Sequence, residues 1–337
     1  MHRKSNQRKP QPLRSSIRHL RSPPILAVIN GERPFRTILS ALQEGRVAAQ
    51  PRQQRTMIAL ASLPLAAPAP ISPAASVNMA SAAPSASGSI TLLEWNPHWK
   101  TSKDFGEHVT SDIKNWLTEY HVDFATIIEF TNLGDTTTVG ENHVPWSDAK
   151  YKMIDSGATC SSDKTSILYD STKWTPSSDV LKGCLANNDR PWIATTFTES
   201  ASGKEIVVVG SHFSHTAGCE QLLKAPIAKL GGGKDGSKGV VFMADTNNDR
   251  AYETSKLANN MGLGDIGDLQ KSDSFKSCCS DSGMPYQYDR IISTIGSQGT
   301  TSYPYGNKGM ESLPAWFPDT DYRDEMHLPV VLTVQNA

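Results

Sequence analysis

Runs of apolar residues that end on polar side chains recur along residues 90–337. The stretch "KEIVVVGSHF" is nearly continuous in apolar residues, which is typical of a strand buried on both faces. Shorter apolar runs predict further strands over "SITLLEW", "VDFATIIEF", "KTSILYD", "PWIATTFTES", "KGVVFMADTNND", "YDRIISTI" and "HLPVVLTV". Apolar residues at helical spacing predict helices over "DFGEHVTSDIKNWLTEYH" and "CEQLLKAPIAKLGGG". The alternation of predicted strands and helices predicts a layered α/β domain.

The predicted strands end or begin on amide, carboxylate or imidazole side chains. These residues are Asn96, Glu129, His212, Asp245 with Asn247, Asp289 and His327. Strand ends in layered α/β folds converge on one edge, where sites are usually built, so we expect these side chains to lie close together. A lone His212 would more often be a packed core or turn histidine. The combination of amides, carboxylates and imidazoles favours a functional site.

Residues 1–89 differ from the rest of the chain and predict a basic, irregular leader. They hold 12 Lys and Arg against two acids, Glu32 and Glu44, for a formal charge of +10. The Ala/Pro/Ser-rich stretch before residue 90 has too few large apolar groups to form a core. Residues 57–70 resemble the apolar part of a signal peptide but lie far from Met1. Translation from Met57, an organelle transit sequence and a disordered tail all stay open.

Residues 90–337 are acidic, with 21 Lys and Arg against 32 Asp and Glu and a formal charge of −11. This balance excludes a general polyanion-binding surface. Any phosphate chemistry would need a local positive charge, and a divalent metal is the simplest source. No apolar run reaches the roughly 18–20 residues that span a bilayer. We expect a soluble monomer without a transmembrane segment, either secreted or directed to an organelle.

The five cysteines are Cys160, Cys184, Cys219, Cys278 and Cys279. They form no CxxC motif, so a structural zinc site is not expected. An exported chain would form two disulfides and leave one thiol, and Cys160–Cys184, which flank a predicted hairpin, is the preferred pair. Five free thiols in a reducing compartment is the alternative.

Seven motifs in chain order resemble the endonuclease/exonuclease/phosphatase superfamily, and in detail deoxyribonuclease I. They are "LLEWNPHW", "FATIIEF", "RPWIATTF", "VVVGSHFSH", "VFMADTNND", "YDRIIST" and "MHLPVVLTV". The resemblance covers nearly all of residues 90–337 and implies a four-layer α/β/β/α sandwich of two packed mixed sheets. It also implies a divalent-metal-dependent phosphodiester hydrolase that cleaves nucleic acid by in-line attack of water. Mg²⁺ is the implied cofactor, with Ca²⁺ or Mn²⁺ as alternatives.

The same resemblance implies roles for individual residues. The implied metal ligands are Glu129, Asn96, Asp245 and Glu325. The implied catalytic residues are an acid/base pair with its supporting acids, His212, His327, Asp289, Asp245 and Asp163. Asp289 would hold one nitrogen of His327, and Asp163 would lie behind His212. The implied phosphate contacts are Asn247, Arg190 and Asn96. We expect His215 to lie at the surface near the site rather than to ligate a metal.

Two departures from the family pattern bear on the substrate. Met326 replaces the aspartate that directly precedes the last histidine, so either Asp324 or Glu325 reaches the same place through a bulge, or a metal ligand is missing. Thr131 stands where deoxyribonuclease I has an arginine that enters the minor groove, and the following loop has no basic residue.

Weaker duplex contact leaves two alternatives open. The first is a phosphatase or phosphodiesterase acting on an inositol phosphate, sphingomyelin or nucleotide. A lipid enzyme should expose an aromatic hairpin, for which Trp316 and Phe317 are the candidates. The second is a catalytically silent binding module.

Overall fold

The structure is a computed structural model, and it describes residues 88–337 apart from 131–145, 147, 158–159, 161–162, 186–187, 216–217, 249–253, 266–268, 273–274, 281–282 and 318–325. Nearly all of the predicted leader, the loop after Thr131 and the candidate ligand Glu325 therefore lie outside the described residues. The division of the chain at residue 90 stays a prediction.

The described strands carry our labels in chain order. They are β1 Ile90–Trp95, β2 Phe124–Ile128, β3 Tyr151–Asp155, β4 Thr165–Asp170, β5 Trp174–Pro176, β6 Leu181–Cys184, β7 Pro191–Glu199, β8 Glu205–His212, β9 Gly239–Asp245, β10 Gln270–Lys271, β11 Cys278–Ser280, β12 Gly283–Tyr286, β13 Asp289–Ser293, β14 Gln298–Ser302 and β15 Val330–Gln335. The described helices are α1 Trp99–Asp104, α2 Gly106–Glu119, α3 Cys219–Lys229 and α4 Thr254–Met261, with a 3₁₀ turn at Gly309–Ser312.

Two mixed sheets organise the domain. The first has the strand order β14-β15-β1-β2-β4-β3, with β1 and β2 parallel. The second has the order β10-β13-β9-β8-β7-β5, with β6 also paired to β7 and with β8 and β9 parallel. The strands β11 and β12 form a separate hairpin. Both parallel pairs lie at the centres of their sheets, where apolar residues cover both faces.

Three apolar clusters define four layers. The cluster between the sheets contains Leu92, Phe124, Val208 and Met243. The next residues along the strands face outward, so Leu93 packs with α2, whose buried stripe is Val109, Ile113, Trp116 and Leu117. On the other side, Val207 and Val209 pack with buried residues of α3 and α4. Because side chains alternate between the faces of a strand, these runs confirm the predicted α/β/β/α sandwich.

The structure corrects several boundaries. Residues 327–329 precede β15 rather than open it, so His327 lies on an irregular segment. The helices α1 and α4 were not predicted, because neither segment has a long apolar stripe. Short strands such as β6 and β10 also escaped prediction, since only two to four residues form them. Among the described residues, no helix has the length and apolar character needed to cross a membrane.

Two disulfides and one thiol account for the cysteines. Cys160 and Cys184 are joined, with 5.5 Å between their Cα atoms, as the sequence predicted. The neighbours Cys278 and Cys279 form the second disulfide, and Cys219 is a buried thiol. The structure therefore has the pairing expected of an exported chain rather than five free thiols.

Candidate active site

Neighbouring strands of the second sheet place three site residues side by side. His212 ends β8 and lies opposite Asp245, which ends β9. Asp289 opens β13 on the other side of Asp245. Asn96 and Glu129 directly follow β1 and β2 of the first sheet. The site therefore lies where the ends of both sheets meet.

The structure brings together every predicted site residue that it describes. They are Asn96, Glu129, Asp163, Arg190, His212, Asp245, Asn247, Asp289 and His327, and side-chain contacts connect them all. His215 is exposed and lies beside Tyr288, with their ring centroids 6.2 Å apart. This position agrees with the expected surface location.

His212 is buried between two carboxylates. Its Nδ1 is 2.6 Å from Asp163 Oδ2, and its Nε2 is 3.3 Å from Asp245 Oδ2. Burial lowers the pKa of His212, but Asp163 and Asp245 outweigh it and raise the pKa to about 10. Asn247 Nδ2 also lies 2.8 Å from Nε2. The carboxylates at both ring nitrogens favour a fixed, positively charged imidazole.

His327 forms the second histidine–carboxylate pair. Its Nδ1 is 2.8 Å from Asp289 Oδ2 and 3.0 Å from Oδ1. Burial lowers the pKa of His327, but Asp289 and then Asp245 raise it to about 9. Trp95 Nε1 donates a hydrogen bond of 3.0 Å to the carbonyl of His327, which fixes the backbone. The contact to Asp289 orients the ring so that Nε2 faces the site.

Both imidazoles converge on Asp245. His327 Nε2 lies 3.7 Å from the same Oδ2 that lies 3.3 Å from His212 Nε2. Asn96 Nδ2 also donates to this oxygen at 2.9 Å, and the backbone N–H of Asn247 donates to Oδ1 at 2.9 Å. Burial raises the pKa of Asp245, but His327 and His212 outweigh it and hold the pKa well below its usual range.

A second set of charges surrounds Glu129. Arg190 Nη1 donates to Glu129 Oε1 at 2.9 Å and to Asp163 Oδ2 at 3.2 Å. Burial lowers the pKa of Arg190, but Glu129 and Asp163 raise it overall, so the guanidinium stays charged. Glu129 Oε2 accepts a hydrogen bond from the backbone N–H of Trp99 at 3.2 Å. His98 Nε2 lies 3.7 Å from the same oxygen, and burial lowers the pKa of His98 to about 3.

Three site residues have left-handed backbone angles. The φ values are 63° at His98, 54° at Glu129 and 45° at Asn247. Such angles cost about 1–3 kcal/mol for non-glycine residues and persist only where surrounding contacts impose them. The contacts are present: Asn96 Oδ1 accepts from the N–H of His98, and the carbonyl of Lys164 accepts from the N–H of Glu129, both at 2.9 Å. Three of the six non-glycine residues with positive φ in the described part of the chain therefore lie at the site.

Sequence reasoning missed Glu94, a buried carboxyl beneath the site. It lies on β1 and is fully buried. Burial, followed by the charges of Asp289 and Asp245, raises the pKa of Glu94 well above its usual range. The protonated carboxyl is thus favoured, and neither of its oxygens has a hydrogen-bond partner among the described residues. The signal in the sequence was a single acid within the apolar run "ITLLEW".

Two groups of site residues could each hold a metal ion, Glu129 with Asp163 and His212, and Asp245 with Asp289 and His327. Glu129, Asn96 and Asp245 offer the hard oxygens that Mg²⁺ prefers. The cations Arg190, His212 and His327 already face carboxylates, so an additional positive charge is needed to bind a phosphate.

The position that would complete a second metal site is apolar. Met326 is buried in the cluster that contains Trp95 and Trp116, on the α2 side of the first sheet. Its side chain therefore does not replace the missing carboxylate. The other candidate, Glu325, lies outside the described residues.

The aromatic pair considered for membrane contact is packed against the domain. Trp316 stacks on His108, with ring centroids 5.2 Å apart, and donates a hydrogen bond of 2.9 Å to Asp112. Phe317 is buried in the α2-side cluster. These two residues therefore form no exposed aromatic hairpin. Trp99, at the edge of the site, is instead an exposed large aromatic residue.

No protein-family model and no curated protein matches the chain. Solved structures do match it. An endonuclease/exonuclease/phosphatase family protein from Bacteroides thetaiotaomicron has a TM-score of 0.50 and 13% identity over 73% of this chain and 97% of that chain. A protein of the same description from Bacteroides vulgatus has a TM-score of 0.49, 14% identity and coverages of 73% and 98%. The human Nocturnin catalytic domain has a TM-score of 0.47, 12% identity and coverages of 73% and 94%. The match to the Bacteroides thetaiotaomicron protein shows that this chain has the fold of that endonuclease/exonuclease/phosphatase family protein.

Proposed function

We propose that this protein hydrolyses phosphodiester bonds with the help of a divalent metal ion, and that nucleic acid is its substrate class. One observation carries the proposal. Two histidine–carboxylate pairs, one delivered by β8 and one by the segment before β15, face a single oxygen of Asp245 at 3.3 and 3.7 Å. Phosphodiester hydrolysis can use this combination, because one imidazolium can give a proton to the leaving oxygen while the other stabilises the charge that develops on the phosphate.

The surroundings of the two histidines suggest different roles. His212 has a carboxylate at each ring nitrogen and is 1% exposed, so its proton is held in place. We assign it to electrostatic stabilisation of the charge that develops on the phosphate. Asp289 holds Nδ1 of His327. Among the described residues, the carboxylate facing Nε2 is that of Asp245, and at 3.7 Å it is too distant for a hydrogen bond. We assign proton transfer to this nitrogen, as in other histidine–aspartate hydrolases.

A bound Mg²⁺ would polarise the phosphoryl oxygens and supply the local positive charge that the acidic domain lacks. We propose that Glu129, with Asn96 and Asp245 nearby, holds it. The Arg190 side chain is 26% exposed and is anchored by Glu129 and Asp163. Its remaining donors can contact a phosphate oxygen, because guanidinium groups present several N–H groups in one plane.

The exposed aromatic side chain at the site edge favours nucleic acid over a lipid. Trp99 is 49% exposed, and its backbone N–H contacts Glu129. An indole ring beside the proposed metal ligand can stack on a base next to the scissile phosphate. The packing of Trp316 and Phe317 removes the membrane-binding candidate that the sequence offered.

We also propose that the protein is exported. The Cys160–Cys184 disulfide supports an oxidising compartment. It closes the segment that carries Asp163, since Cys160 and Asp163 form a β-bridge. Thiol labelling of the protein from its natural source would test this, because export predicts that Cys160 and Cys184 resist alkylation until a reductant is added.

The full chain should be incubated in Mg²⁺ or in EDTA with three substrates: supercoiled plasmid, bis-p-nitrophenyl phosphate and p-nitrophenyl phosphate. The proposal predicts metal-dependent nicking of the plasmid and hydrolysis of the small diester in preference to the monoester. Cleavage of the monoester with an intact plasmid would instead indicate a phosphatase. Inactivity on all three substrates would indicate a silent binding module.

Variants connect the activity to the site. Asp245→Asn should abolish most of the activity, because it removes the charge that both imidazoles face. His121→Asn is the matched control, since His121 is exposed and has a φ of 51°, which asparagine tolerates. Equal activity of Asp245→Asn and the wild type would refute the assignment.

A further inference from the structure

The hairpin of β11 and β12 places two adjacent cysteines against His327. Cys279 Sγ lies 3.8 Å from His327 Nε2. The sulfurs of Cys278 and Cys279 and a ring nitrogen of His327 all lie within 4.8 Å of one another. Cys278 is buried, and Cys279 is partly exposed. The hydrolytic mechanism proposed above uses neither cysteine.

Backbone contacts of Ser277 hold the hairpin in this position. The N–H of Leu328, directly after His327, donates to the carbonyl of Ser277 at 2.8 Å. The N–H of Asp289 donates to Ser277 Oγ at 3.2 Å. One buried residue thus connects the hairpin to both members of the His327–Asp289 pair, so the cysteines and the imidazole share one rigid frame.

A register shift in the pairing of β11 with β12 explains how the adjacent side chains of Cys278 and Cys279 come to lie on the same side of the strand. Successive residues of a strand normally point to opposite faces. The pairing of β11 with β12 shifts register between Cys278 and Ser280. Such bulges re-aim side chains and are common beside active sites. The disulfide between Cys278 and Cys279 confirms that both sulfurs lie on one side.

Reduction of this disulfide produces two thiols beside an imidazole. A phosphine or a dithiol supplies the two electrons, the S–S bond breaks, and each sulfur gains a proton. Two thiolates and one imidazole nitrogen leave one coordination position open on a tetrahedral ion. Asp289 already holds Nδ1 of His327, which directs Nε2 to the sulfurs. A carboxylate behind a ligating histidine is the usual arrangement at zinc sites.

One distance suits a thiophilic ion, while the two sulfurs must move to about 3.8 Å apart once the S–S bond is broken. Tetrahedral zinc with ordinary Zn–S and Zn–N bonds separates a sulfur from a nitrogen by about 3.6 Å. The observed 3.8 Å between Cys279 Sγ and His327 Nε2 needs only a small adjustment. Sulfur ligands select Zn²⁺ or Cd²⁺ and disfavour Mg²⁺. The oxygen donors around Glu129 have the opposite preference, so the two kinds of ion should bind at different places.

We propose that Cys278, Cys279 and His327, once the disulfide is reduced, form a binding site for a thiophilic divalent cation such as Zn²⁺. Binding releases the protons of the ligands and leaves the metal on Nε2 of His327. This nitrogen is then lost to proton transfer, so the ion inhibits hydrolysis; that consequence, unlike the binding itself, rests on the proposed function. Oxidation to the disulfide closes the site.

Binding can be measured without any enzymatic activity. The full chain, reduced with a phosphine, is titrated with Cd²⁺, and the ultraviolet charge-transfer absorption of cadmium thiolate is recorded. The wild type should bind one Cd²⁺ with this absorption. Cys278→Ser/Cys279→Ser should lose it, and His327→Gln should retain it with affinity at least about 10-fold weaker. Controls are Cys219→Ser and Cys160→Ser/Cys184→Ser, which remove the other sulfurs and should behave like the wild type.

Inhibition is measured as the ratio of diester hydrolysis with and without Zn²⁺, in Mg²⁺ and a phosphine. The wild type should lose activity with Zn²⁺, and more Mg²⁺ should not restore it. An unchanged cadmium signal in Cys278→Ser/Cys279→Ser, or unchanged affinity in His327→Gln, would overturn the metal site. If the cadmium signal behaves as expected but the wild type hydrolyses nothing, the metal site stands and the proposed function fails.

Discussion

Replacing Asp289 by asparagine should remove a pH-dependent part of the stability of the fold. The pKa of His327 rises from 6.5 to about 9 in the folded protein, chiefly because Asp289 faces its Nδ1 at 2.8 Å. Both side chains are almost fully buried, so solvent screens their interaction little. One pKa unit corresponds to about 1.4 kcal/mol, so the raised pKa corresponds to about 3 kcal/mol.

The sign follows from linkage. The folded protein binds the proton of His327 more tightly than the unfolded chain does. This stabilisation is therefore complete below pH 6.5 and disappears as the pH rises through about 9. In Asp289→Asn, burial still lowers the pKa of His327, and only the charges of Asp245 and Glu129 remain to raise it. At low pH the variant should therefore be less stable than the wild type by most of this amount. At high pH, where the wild type has also lost this stabilisation, the two proteins should differ little.

The assay is urea unfolding of the full chain in EDTA at about pH 6 and about pH 9.5. The free energy of unfolding should differ between wild type and variant by about 3 kcal/mol at the lower pH. The difference should shrink at the higher pH. Groups that do not face Asp289 cancel, because both proteins contain them, and Glu94, whose pKa Asp289 helps to raise, is replaced by glutamine in both proteins. A difference that is equal at both pH values would refute the interaction of His327 with Asp289.

Three further changes test the surroundings of the site. In urea unfolding at pH 8, Glu94→Gln should have a larger free energy of unfolding than the wild type, because the raised pKa of Glu94 makes the stability of the wild type fall as the pH rises above 4.5. This difference in free energy should disappear below pH 4.5. The control Glu205→Gln, at an exposed position, should show no such difference. Trp99→Ala should raise KM for an oligonucleotide by at least about 5-fold, since stacking on one base is worth about 1–3 kcal/mol. The same variant should leave kcat for a small diester unchanged. Equal losses of activity on both substrates would contradict a stacking role. Gly210→Val should destabilise the fold by about 1–3 kcal/mol in thermal and urea unfolding, because a Cβ there would lie 3.0 Å from the side chain of Thr126; an unchanged midpoint would contradict the tight packing between the sheets.

The sequence predicted most of the site because strand patterns determine where strand ends lie. Long apolar runs identified β8 and β9, and their pairing necessarily places His212 opposite Asp245. Asp289 follows from the same reasoning, since β13 pairs with β9. The placement of Asp163 behind His212 came from the family resemblance alone, because no periodicity connects residues 49 positions apart.

Other features depend on tertiary contacts that no local pattern contains. The sequence predicted no role for Glu94, which the first sheet buries and whose pKa Asp289 and Asp245 help to raise. The absence of a CxxC motif argued against zinc, but the fold brings Cys278 and Cys279 to a histidine 48 positions along the chain. The left-handed backbone of Glu129 also required the structure, since glutamate rarely adopts it.

A double-mutant cycle on His327 and Asp289 tests the central claim most directly. The measurement is kcat/KM for bis-p-nitrophenyl phosphate in Mg²⁺ with the full chain, His327→Gln, Asp289→Asn and the double variant. If the pair acts as one proton-transferring unit at Asp245, His327→Gln should lose about 10²–10⁴-fold, and the double variant should lose no more. Losses that multiply, or full activity in His327→Gln, would contradict the account.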